Sequence, residues 1–518
     1  MFLQHDFNQF NIKGIKLSSV QRQIDHFIHG FPFMQLSRPA TVGDGILRFS
    51  DEDHQYYLKF YEKNLDHLKV VKFVPASGAA SRMFKHLFEF SEKYLPGVSG
   101  KELFLKDQGF NSVYYFFEHL RQIAFFDDLT AILAASGSHL EQLLQQENYG
   151  AVIEAILSPG GLNYANLPKA LLKFHHYTEG SRTAAEEHLV EAAVYARDHA
   201  GIARIHFTIS PEHREKFMEL IERVRSTYEG RLKVKYDISF SIQKPSTDMI
   251  AVDESNQPVR NSDGSLLFRP GGHGALLENL NDIDADLVFI KNIDNIVPDR
   301  LKHETFEYKK LLGGYLLHLR EAIRVILSNI QEGHLSDEDI RMAADFAREH
   351  LFQHIPEDFS SMGSVNQTEY LFKLLNRPVR ICGMVKNEGE PGGGPFWVIG
   401  SNGNCTLQIV ESSQIDMSNQ LQRDIVEKST HFNPVDLVCS TRDFNGNPFN
   451  LKEFVDDNTG FISLKSSGGK TLKAQELPGL WNGAMAEWIT IFAEVPVITF
   501  NPVKTVNDLL RNEHLSII

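Results

Sequence analysis

The middle of the chain alternates short apolar runs with longer amphipathic stretches. Three apolar runs are rich in β-branched and aromatic residues, which is typical of buried strands: Val70–Val74, Ile202–Ser210 and Ala285–Asn295, the last of which ends in polar residues. The stretch Pro211–Arg225 has helical periodicity and places proline in its first turn, where a helix tolerates it. Strands that alternate with helices predict an α/β fold with a Rossmann-like, mixed and mostly parallel sheet.

Helical periodicity also dominates three other parts of the chain. Residues 1–68 are predicted to form an N-terminal helical region, and residues 69–518 a catalytic domain with helical insertions at about 86–165 and 303–375. The stretch Gly483–Phe492 is predicted to be the last helix, and strands are expected from Val379 onward.

Composition narrows the class of protein. The 518 residues are 42% hydrophobic and carry a formal net charge of −15, which argues against general nucleic-acid binding. Only three cysteines occur and none forms a Cys-x-x-Cys motif, so neither a disulfide framework nor a zinc site is expected. Neither a signal-peptide pattern nor an apolar run of about 18 residues is found, so a cytoplasmic protein without a membrane partner is expected.

A loop of small residues follows the first predicted strand. Ala76, Ser77, Gly78 and Ala79 leave backbone N–H groups open to phosphate oxygens, and Arg82 adds a planar cation for the same phosphates. The loop lacks the glycines and lysine of a Walker A motif and the glycines of a dinucleotide fingerprint. An ordinary turn between strand and helix is the alternative.

Asp294 stands where the buried strand that begins near Ala285 ends. Ligands of open α/β sheets bind at the carboxyl ends of strands, and divalent cations prefer carboxylate oxygens. A metal ligand and a cap of the following turn are both compatible with this position.

Several motifs occur in the order in which they occur in one enzyme family. From Val70 to the C-terminus the chain resembles the UDP-sugar pyrophosphorylases, a branch of the sugar-phosphate nucleotidyltransferases, and it also resembles bacterial proteins of unknown function that share the Pro75–Met83 string. The resemblance rests on six segments: Pro75–Met83, Pro168-Lys169, Pro270–Gly274, Asn292–Asn295, Gly392–Gly394 with Val410-Glu411, and Phe500–Leu510.

The resemblance implies a nucleotide-diphospho-sugar transferase fold and a set of functional residues. Arg82, Lys169 and Lys504 would be the catalytic cations. The loop Ala76–Ala79 with Gln243, Gly272, His273 and Gly274 would bind the nucleotide, and Gly393, Glu411 and Asn433 the sugar. Asp294 and Asp436 would hold Mg²⁺, with their carboxylates within about 6 Å of each other.

The implied reaction joins a nucleoside triphosphate to a sugar 1-phosphate and releases pyrophosphate. Two departures from the family bear on it: Ala80 replaces the second loop glycine, and the C-terminal β-helix of many relatives is not expected. A non-catalytic nucleotide or nucleotide-sugar binding protein, and a nucleotidyltransferase with a non-sugar phosphate acceptor, are the alternatives. The base, the sugar and the oligomeric state do not follow from the sequence.

Overall fold

The computed structural model describes residues 2–95, 97–389, 392–400, 403–467 and 470–515. The chain divides into two compact units. Unit 1 comprises Met1–Phe73, Ser241–Ile290 and Tyr308–Val497, and unit 2 comprises Val74–Phe240, Lys291–Glu307 and Ile498–Ile518.

The strands are short and spread along the whole chain. They are β1 (Gln35–Pro39), β2 (Thr41–Val42), β3 (Gly45–Leu47), β4 (Val70–Pro75), β5 (Lys173–His175), β6 (Arg182–Thr183), β7 (Ile202–Ile209), β8 (Lys235–Ile242), β9 (Met249–Val252), β10 (Phe268–Arg269), β11 (Leu287–Lys291), β12 (Val379–Lys386), β13 (Gly394–Ile399), β14 (Cys405–Val410), β15 (His431–Phe432), β16 (Asp436–Ser440), β17 (Phe461–Ser467), β18 (Lys470–Glu476) and β19 (Ile489–Glu494).

The α-helices fall mostly into the predicted helical stretches. They are α1 (Gln4–Lys13), α2 (Leu17–His29), α3 (Asp51–Lys63), α4 (Lys85–Lys93), α5 (Val98–Leu105), α6 (Val113–Glu118), α7 (Phe126–Ala135), α8 (Leu140–Gln145), α9 (Tyr149–Leu157), α10 (Ala184–Tyr195), α11 (Arg214–Leu232), α12 (Leu277–Asn281), α13 (Lys302–Glu332), α14 (Asp337–Glu349), α15 (Ser364–Leu375) and α16 (Gln420–Glu427).

Unit 1 is built on a large sheet with the strand order β2-β3-β19-β12-β16-β11-β4. The pairs β2/β3, β3/β19, β19/β12 and β11/β4 are parallel, whereas β12/β16 is antiparallel. Residues 287–290 of β11 are fully buried and apolar, as expected for a strand covered on both faces. The predicted mixed, mostly parallel α/β sheet is therefore confirmed.

Unit 2 combines strands β7 and β8 with helices on their surface. The two strands are neighbours, and α10 packs against β7 and α11. Helices α4 to α9 fill the predicted insertion, and their aromatic side chains pack on one another; the rings of Phe104 and Tyr149 stack with centroids 4.1 Å apart. Helices α13 to α15 occupy the second predicted insertion, at about residues 303–375.

Two expectations need correction. The N-terminal region is not purely helical, because β1, β2 and β3 lie within it and Ile46 pairs with Phe492 of β19. The stretch Gly483–Phe492 is not a helix: after one 3-10 turn the β-branched run beginning at Ile489 forms β19. The domain limit at residue 69 stays a prediction.

Candidate functional site

The predicted site residues fall into both units. Unit 2 contains the loop Ala76–Ala79 together with Arg82, Lys169, Asp294 and Lys504, and unit 1 contains the remaining nucleotide, sugar and metal residues. Each group is described below within its own unit.

The loop after β4 begins at a buried residue and then turns outward. The Ala76 N–H donates to the Thr208 carbonyl at 2.9 Å, while Ser77, Gly78 and Ala79 are exposed. A methyl group added to Gly78 would have no atom of the described residues within 4 Å, so packing does not require glycine there. The loop thus exposes its backbone, as a phosphate-binding loop must.

Ala80, which replaces a glycine of the resembling family, is fully buried. Its N–H donates to the Leu167 carbonyl at 3.1 Å. Because the residue is covered by the protein, its methyl group does not occupy the exposed side of the loop.

The Pro168-Lys169 segment lies directly beside this loop. Ala79 and Pro168 form an antiparallel bridge, and the Lys169 N–H donates to the Gly78 carbonyl at 3.2 Å. Two motifs that are far apart in the sequence are therefore neighbours in unit 2.

The side chains of Lys169, Asp294 and Lys504 meet, and we call these three residues the lysine cluster. Lys169 Nζ lies 2.7 Å from Asp294 Oδ2 and 2.6 Å from the Val503 carbonyl oxygen. Lys504 Nζ lies 3.6 Å from the same Asp294 oxygen. One carboxylate oxygen thus holds two ammonium groups from different parts of the chain.

Backbone hydrogen bonds fix the C-terminal segment that supplies Lys504. Asn295 and Pro502 form a bridge, and the Val503 N–H donates to the Asp294 carbonyl at 3.0 Å. The Val506 N–H donates to the Met83 carbonyl at 3.0 Å, next to Arg82. The segment is thereby tied both to the residues around Asp294 and to the end of the Ala76–Arg82 loop.

The lysine cluster keeps its carboxylate ionised. Burial alone would raise the pKa of Asp294, but Lys169 and Lys504 hold that pKa below its ordinary value. Lys504 is 62% exposed, whereas the Asp294 side chain is only 11% exposed. Arg82 is exposed and makes no ion pair or hydrogen bond within the described part of the chain. The cluster therefore has one solvent-exposed cation, Lys504, beside a buried anion.

A second group of charges in unit 2 was not foreseen from the sequence. Glu187, fully buried, accepts hydrogen bonds from His175 Nδ1 at 3.0 Å and from Lys302 Nζ at 2.5 Å. Arg182 forms two hydrogen bonds with Asp299, at 2.8 and 2.9 Å. We call His175, Arg182, Glu187, Asp299 and Lys302 the buried ion cluster.

In unit 1 the predicted nucleotide-binding glycines form a tight turn. Gly272 has φ of +74°, and a methyl group there would lie 2.5 Å from Glu476 Oε2. A methyl group on Gly274 would lie 2.0 Å from the Pro478 carbonyl oxygen. Backbone conformation and close packing therefore explain these two glycines without a ligand.

His273 lies between these glycines and stacks on an indole. Its ring is 4.2 Å from that of Trp481, and its Nδ1 accepts a hydrogen bond from the Leu480 N–H at 3.0 Å. Burial lowers the pKa of His273 to about 4, so the ring is neutral at pH 7 and carries its proton on Nε2. Nε2 lies 4.0 Å from Glu411 Oε1.

Glu411 and Gly393 lie together beside an asparagine that the sequence did not single out. Asn482 Nδ2 donates to Glu411 Oε1 at 3.0 Å, and Asn482 Oδ1 is buried without a hydrogen-bond partner among the described residues. A methyl group on Gly393 would lie 3.4 Å from Glu411 Cγ. A donor at His273 and acceptors at Glu411 and Asn482 suit the hydroxyl groups of a sugar.

Asn433 and Asp436 lie on a strained turn of unit 1. The Asn433 N–H donates to the Gly393 carbonyl at 2.8 Å, and Asn433 Oδ1 accepts from the Val435 N–H at 3.0 Å. Val435 has φ of +57°, which is rare for a β-branched residue and typical of functional loops. Asp436 is buried in an ion pair with Lys309.

Gln243 is held loosely at the end of β8. Its Nε2 donates to Thr247 Oγ1 at 3.3 Å, and the residue is partly exposed. Its amide is compatible with a contact to a base, and this role stays a prediction.

The predicted metal ligands both pair with lysines. Within the described residues, no group of three or more His, Cys, Asp or Glu side chains is arranged to hold a metal ion. Lys169 and Lys504 both contact Oδ2 of Asp294, and a magnesium ion commonly takes one or two carboxylates plus substrate phosphates. Ammonium groups thus pair with both carboxylates, and the shared Asp294–Asp436 magnesium site stays a prediction.

The sequence contains only weak signals of Trp481, Asn482 and Lys309, which were not among the predicted site residues. Pro478-Gly479 and Asn482-Gly483 are turn dipeptides on either side of Trp481, and they indicated a loop where we predicted the start of a helix. Lys309 lies within a long helix and gave no signal of its partner. Within the described residues, no helix is both long and apolar enough to cross a membrane.

Comparison with solved structures finds distant similarity to sugar-nucleotide enzymes. The UDP-N-acetylglucosamine pyrophosphorylase from Trypanosoma brucei is 12% identical with a TM-score of 0.47, covering 95% of this chain and 74% of that one. The UDP-glucose pyrophosphorylase from Leishmania major is 12% identical with a TM-score of 0.42, covering 98% and 78%.

Comparison with curated proteins finds no match. A family model described as a domain of unknown function, DUF4301, matches residues 3–515. The chain thus belongs to the DUF4301 family.

Proposed function

We propose that the protein is a nucleotidyltransferase that forms a nucleoside-diphosphate sugar and pyrophosphate from a nucleoside triphosphate and a sugar 1-phosphate. The observation that carries the proposal is the lysine cluster. Lys169, Asp294 and Lys504 belong to three separate motifs of the resemblance, and they meet beside the Ala76–Arg82 loop of unit 2.

In the proposed reaction, an oxygen of the sugar 1-phosphate attacks the α-phosphorus of the nucleotide. The bond from the α-phosphorus to the bridging oxygen breaks, and pyrophosphate leaves with the electron pair. No protein nucleophile is needed, because the work is to position the phosphates and to neutralise their charge.

The residues of unit 2 supply that neutralisation. The exposed Lys504 and Arg82 can turn towards phosphate oxygens, because neither is fixed by several partners. Lys169 is held by Asp294 and by the Val503 carbonyl, so its ammonium group is fixed in place before substrate binds. A fixed cation stabilises developing charge without first having to reorganise.

The residues of unit 1 would bind the remaining parts of the substrates. The neutral His273 Nε2–H can donate to a hydroxyl oxygen, and Glu411 can accept from a hydroxyl hydrogen. The Trp481 ring holds the His273 ring in position through their stack. Gln243 and Asn433 would complete the base and sugar contacts.

When bound with the nucleotide, a magnesium ion would supply positive charge that offsets the charge of the phosphates. The Asp294 carboxylate, kept ionised by two lysines, would be its protein ligand, with Asp436 as the proposed second ligand. The cytoplasmic location expected from the sequence stays a prediction.

The test is pyrophosphate release by the purified protein with magnesium, across a panel of nucleoside triphosphates and sugar 1-phosphates. We expect one pair to give release that requires both substrates. A non-sugar phosphate acceptor, tested in the same panel, would reassign the acceptor. Nucleotide binding without release from any pair would contradict the proposal and favour a binding protein.

A further inference from the structure

A cavity of about 340 Å³ lies within unit 1, away from the predicted site residues. Its walls come from the end of α3, the middle of α13, the residues after α15 and the end of β16. Phe60, Arg320, Asn376, Ser440, Arg442 and Phe449 are among the lining residues. The volume lies within the range of small-molecule sites, about 300–1,000 Å³.

The cavity and the sugar-binding residues lie at opposite ends of β12. Val379, the first residue of β12, lines the cavity and pairs with Ser440. At the other end of β12, Val385 pairs with Phe432, next to Asn433. An eight-residue strand separates the two places by roughly 20 Å.

Two of the arginines that line the cavity are fixed by carbonyl groups. Arg377 donates to the Leu374 carbonyl at 2.8 Å and to the Glu487 carbonyl at 3.2 Å. Arg442 donates to the Ala285 and Gly446 carbonyls at 3.2 and 2.8 Å, and it also pairs with Asp284. These two side chains are structural parts of the wall.

The two acidic residues of the lining are also occupied. Glu321 receives two hydrogen bonds from Arg324, at 2.7 and 3.3 Å. Asp443 accepts from the backbone N–H groups of Asn445 and Asn447, at 2.9 and 2.8 Å. Both carboxylates are therefore hydrogen-bonded within the wall, and Glu321 also attracts Arg320.

Arg320 differs from Arg377 and Arg442, because no carbonyl group of the described residues fixes its guanidinium group. Its side chain is 23% exposed, and its acidic partner, Asp286, lies 3.7 Å away. Asp286 also pairs with Arg442 at 3.3 Å and accepts the Lys69 N–H at 2.9 Å. Burial lowers the pKa of Arg320, whereas the carboxylates of Asp286 and Glu321 act to raise it.

Two residues that line the cavity, Ser440 and Asn376, each have one buried polar atom that lacks a partner among the described residues. The Ser440 residue is 2% exposed, and its hydroxyl has no hydrogen-bond partner among the described residues. Asn376 Oδ1 is likewise buried without a partner in the described part of the chain. An unsatisfied buried polar group costs about 1–3 kcal/mol, so a ligand that pairs with both would be favoured.

We propose that this cavity binds a small phosphorylated metabolite that carries at least one hydroxyl group. The phosphate pairs with the Arg320 fork and accepts from the Ser440 hydroxyl, while Asn376 Oδ1 accepts from the ligand hydroxyl. Phe60 and Phe449 cover the carbon atoms. The site is separate from the proposed nucleotidyltransferase site and does not depend on that function.

Calorimetric titration with glycerol 3-phosphate, inorganic phosphate and glycerol tests this inference. For the wild-type protein we expect saturable binding of glycerol 3-phosphate, weaker binding of inorganic phosphate and none of glycerol. Arg320→Gln and Ser440→Ala should each weaken glycerol 3-phosphate binding, the former by at least about tenfold. Arg341→Gln, an exposed arginine outside the lining, is the matched control.

The variant Lys504→Ala separates this site from the lysine cluster. Glycerol 3-phosphate should bind Lys504→Ala as tightly as it binds the wild type. Absence of binding to the wild type, unchanged affinity in both Arg320→Gln and Ser440→Ala, or loss of binding in Lys504→Ala would each overturn the proposal. Because Ser440→Ala removes one hydroxyl, it keeps the test valid if Arg320→Gln fails to fold.

Discussion

Unit 2 contains two clusters in which acidic and basic side chains pair with each other, the buried ion cluster and the lysine cluster. They differ in how many hydrogen bonds their charged groups make. In the buried ion cluster, Glu187 accepts from His175, Lys302 and Tyr177, and Lys302 also donates to the Val297 carbonyl at 2.6 Å. In the lysine cluster, Lys504 reaches Asp294 only at 3.6 Å and is 62% exposed. The same residue types are thus saturated in one place and incompletely paired in the other.

The difference predicts a structural role for the buried ion cluster and a binding role for the lysine cluster. Buried charges that are fully paired hold segments together, and removing one partner leaves an uncompensated charge. Exposed cations beside an ionised carboxylate contribute little to stability but can bind an incoming anion. Charge content alone therefore does not identify a site, whereas spare hydrogen-bonding capacity does.

The largest expected effect concerns the stability of the buried ion cluster. Glu187→Gln should lower the free energy of unfolding by about 3–5 kcal/mol, because Lys302 and Arg182 lose their buried counterion. Urea unfolding followed by circular dichroism measures the change. The exposed Glu219→Gln is the matched control, with an expected change within about 0.5 kcal/mol. Equal stability of the two variants would show that Glu187 is not structurally important.

The free energy of unfolding should depend on pH because of the same buried ion cluster. Burial would raise the pKa of Glu187, but Lys302, His175 and Arg182 lower it below the ordinary 4.5. Its stabilising contribution is therefore complete above pH 4.5 and is lost as the pH falls below that value. The stability difference between wild type and Glu187→Gln should shrink between pH 4.5 and 3. A difference that stayed constant over this range would contradict the lowered pKa.

The smallest expected effect on stability is that of replacing the exposed Arg82. Arg82→Ala should change the free energy of unfolding by no more than about 0.5 kcal/mol, because its side chain has no described partner. The same variant should lower nucleotidyl transfer, since Arg82 would lose its contact with phosphate. A marked loss of stability, measured by the same urea unfolding, would mean that Arg82 is structural.

The sequence predicted those parts of the fold that local patterns determine. The apolar runs placed β4 and β7 within one residue of their observed bounds and β12 at its observed first residue, because a buried strand must be apolar along its length. The strand predicted from Ala285 to Asn295 ends four residues earlier in the structure, at Lys291. The strands β2 and β3 were missed because they have only two and three residues, and β1 was missed because Leu36 is its one large apolar residue. The strand β19 was mistaken for a helix because small residues of the preceding turn were read as helical.

In the candidate site, residues that belong to motifs could be predicted from the sequence, and residues outside the motifs could not. The resemblance selected Lys169, Asp294 and Lys504, and the structure brings these three side chains together. The Lys309–Asp436 and Glu187–Lys302 pairs could not be predicted, because their partners are far apart in sequence and belong to no motif. Long-range pairing of single charges leaves no periodic pattern in a sequence.

The most direct test of the lysine cluster compares Lys504→Ala with the exposed Lys216→Ala, using the substrate pair identified by the panel. Lys504→Ala should lower kcat by about a hundredfold or more, with a smaller effect on nucleotide binding, because Lys504 acts on charge in the transition state. Its free energy of unfolding should stay within about 0.5 kcal/mol of the wild type, because the side chain is mostly exposed. A folded Lys504→Ala protein that turns over as fast as Lys216→Ala would contradict the account.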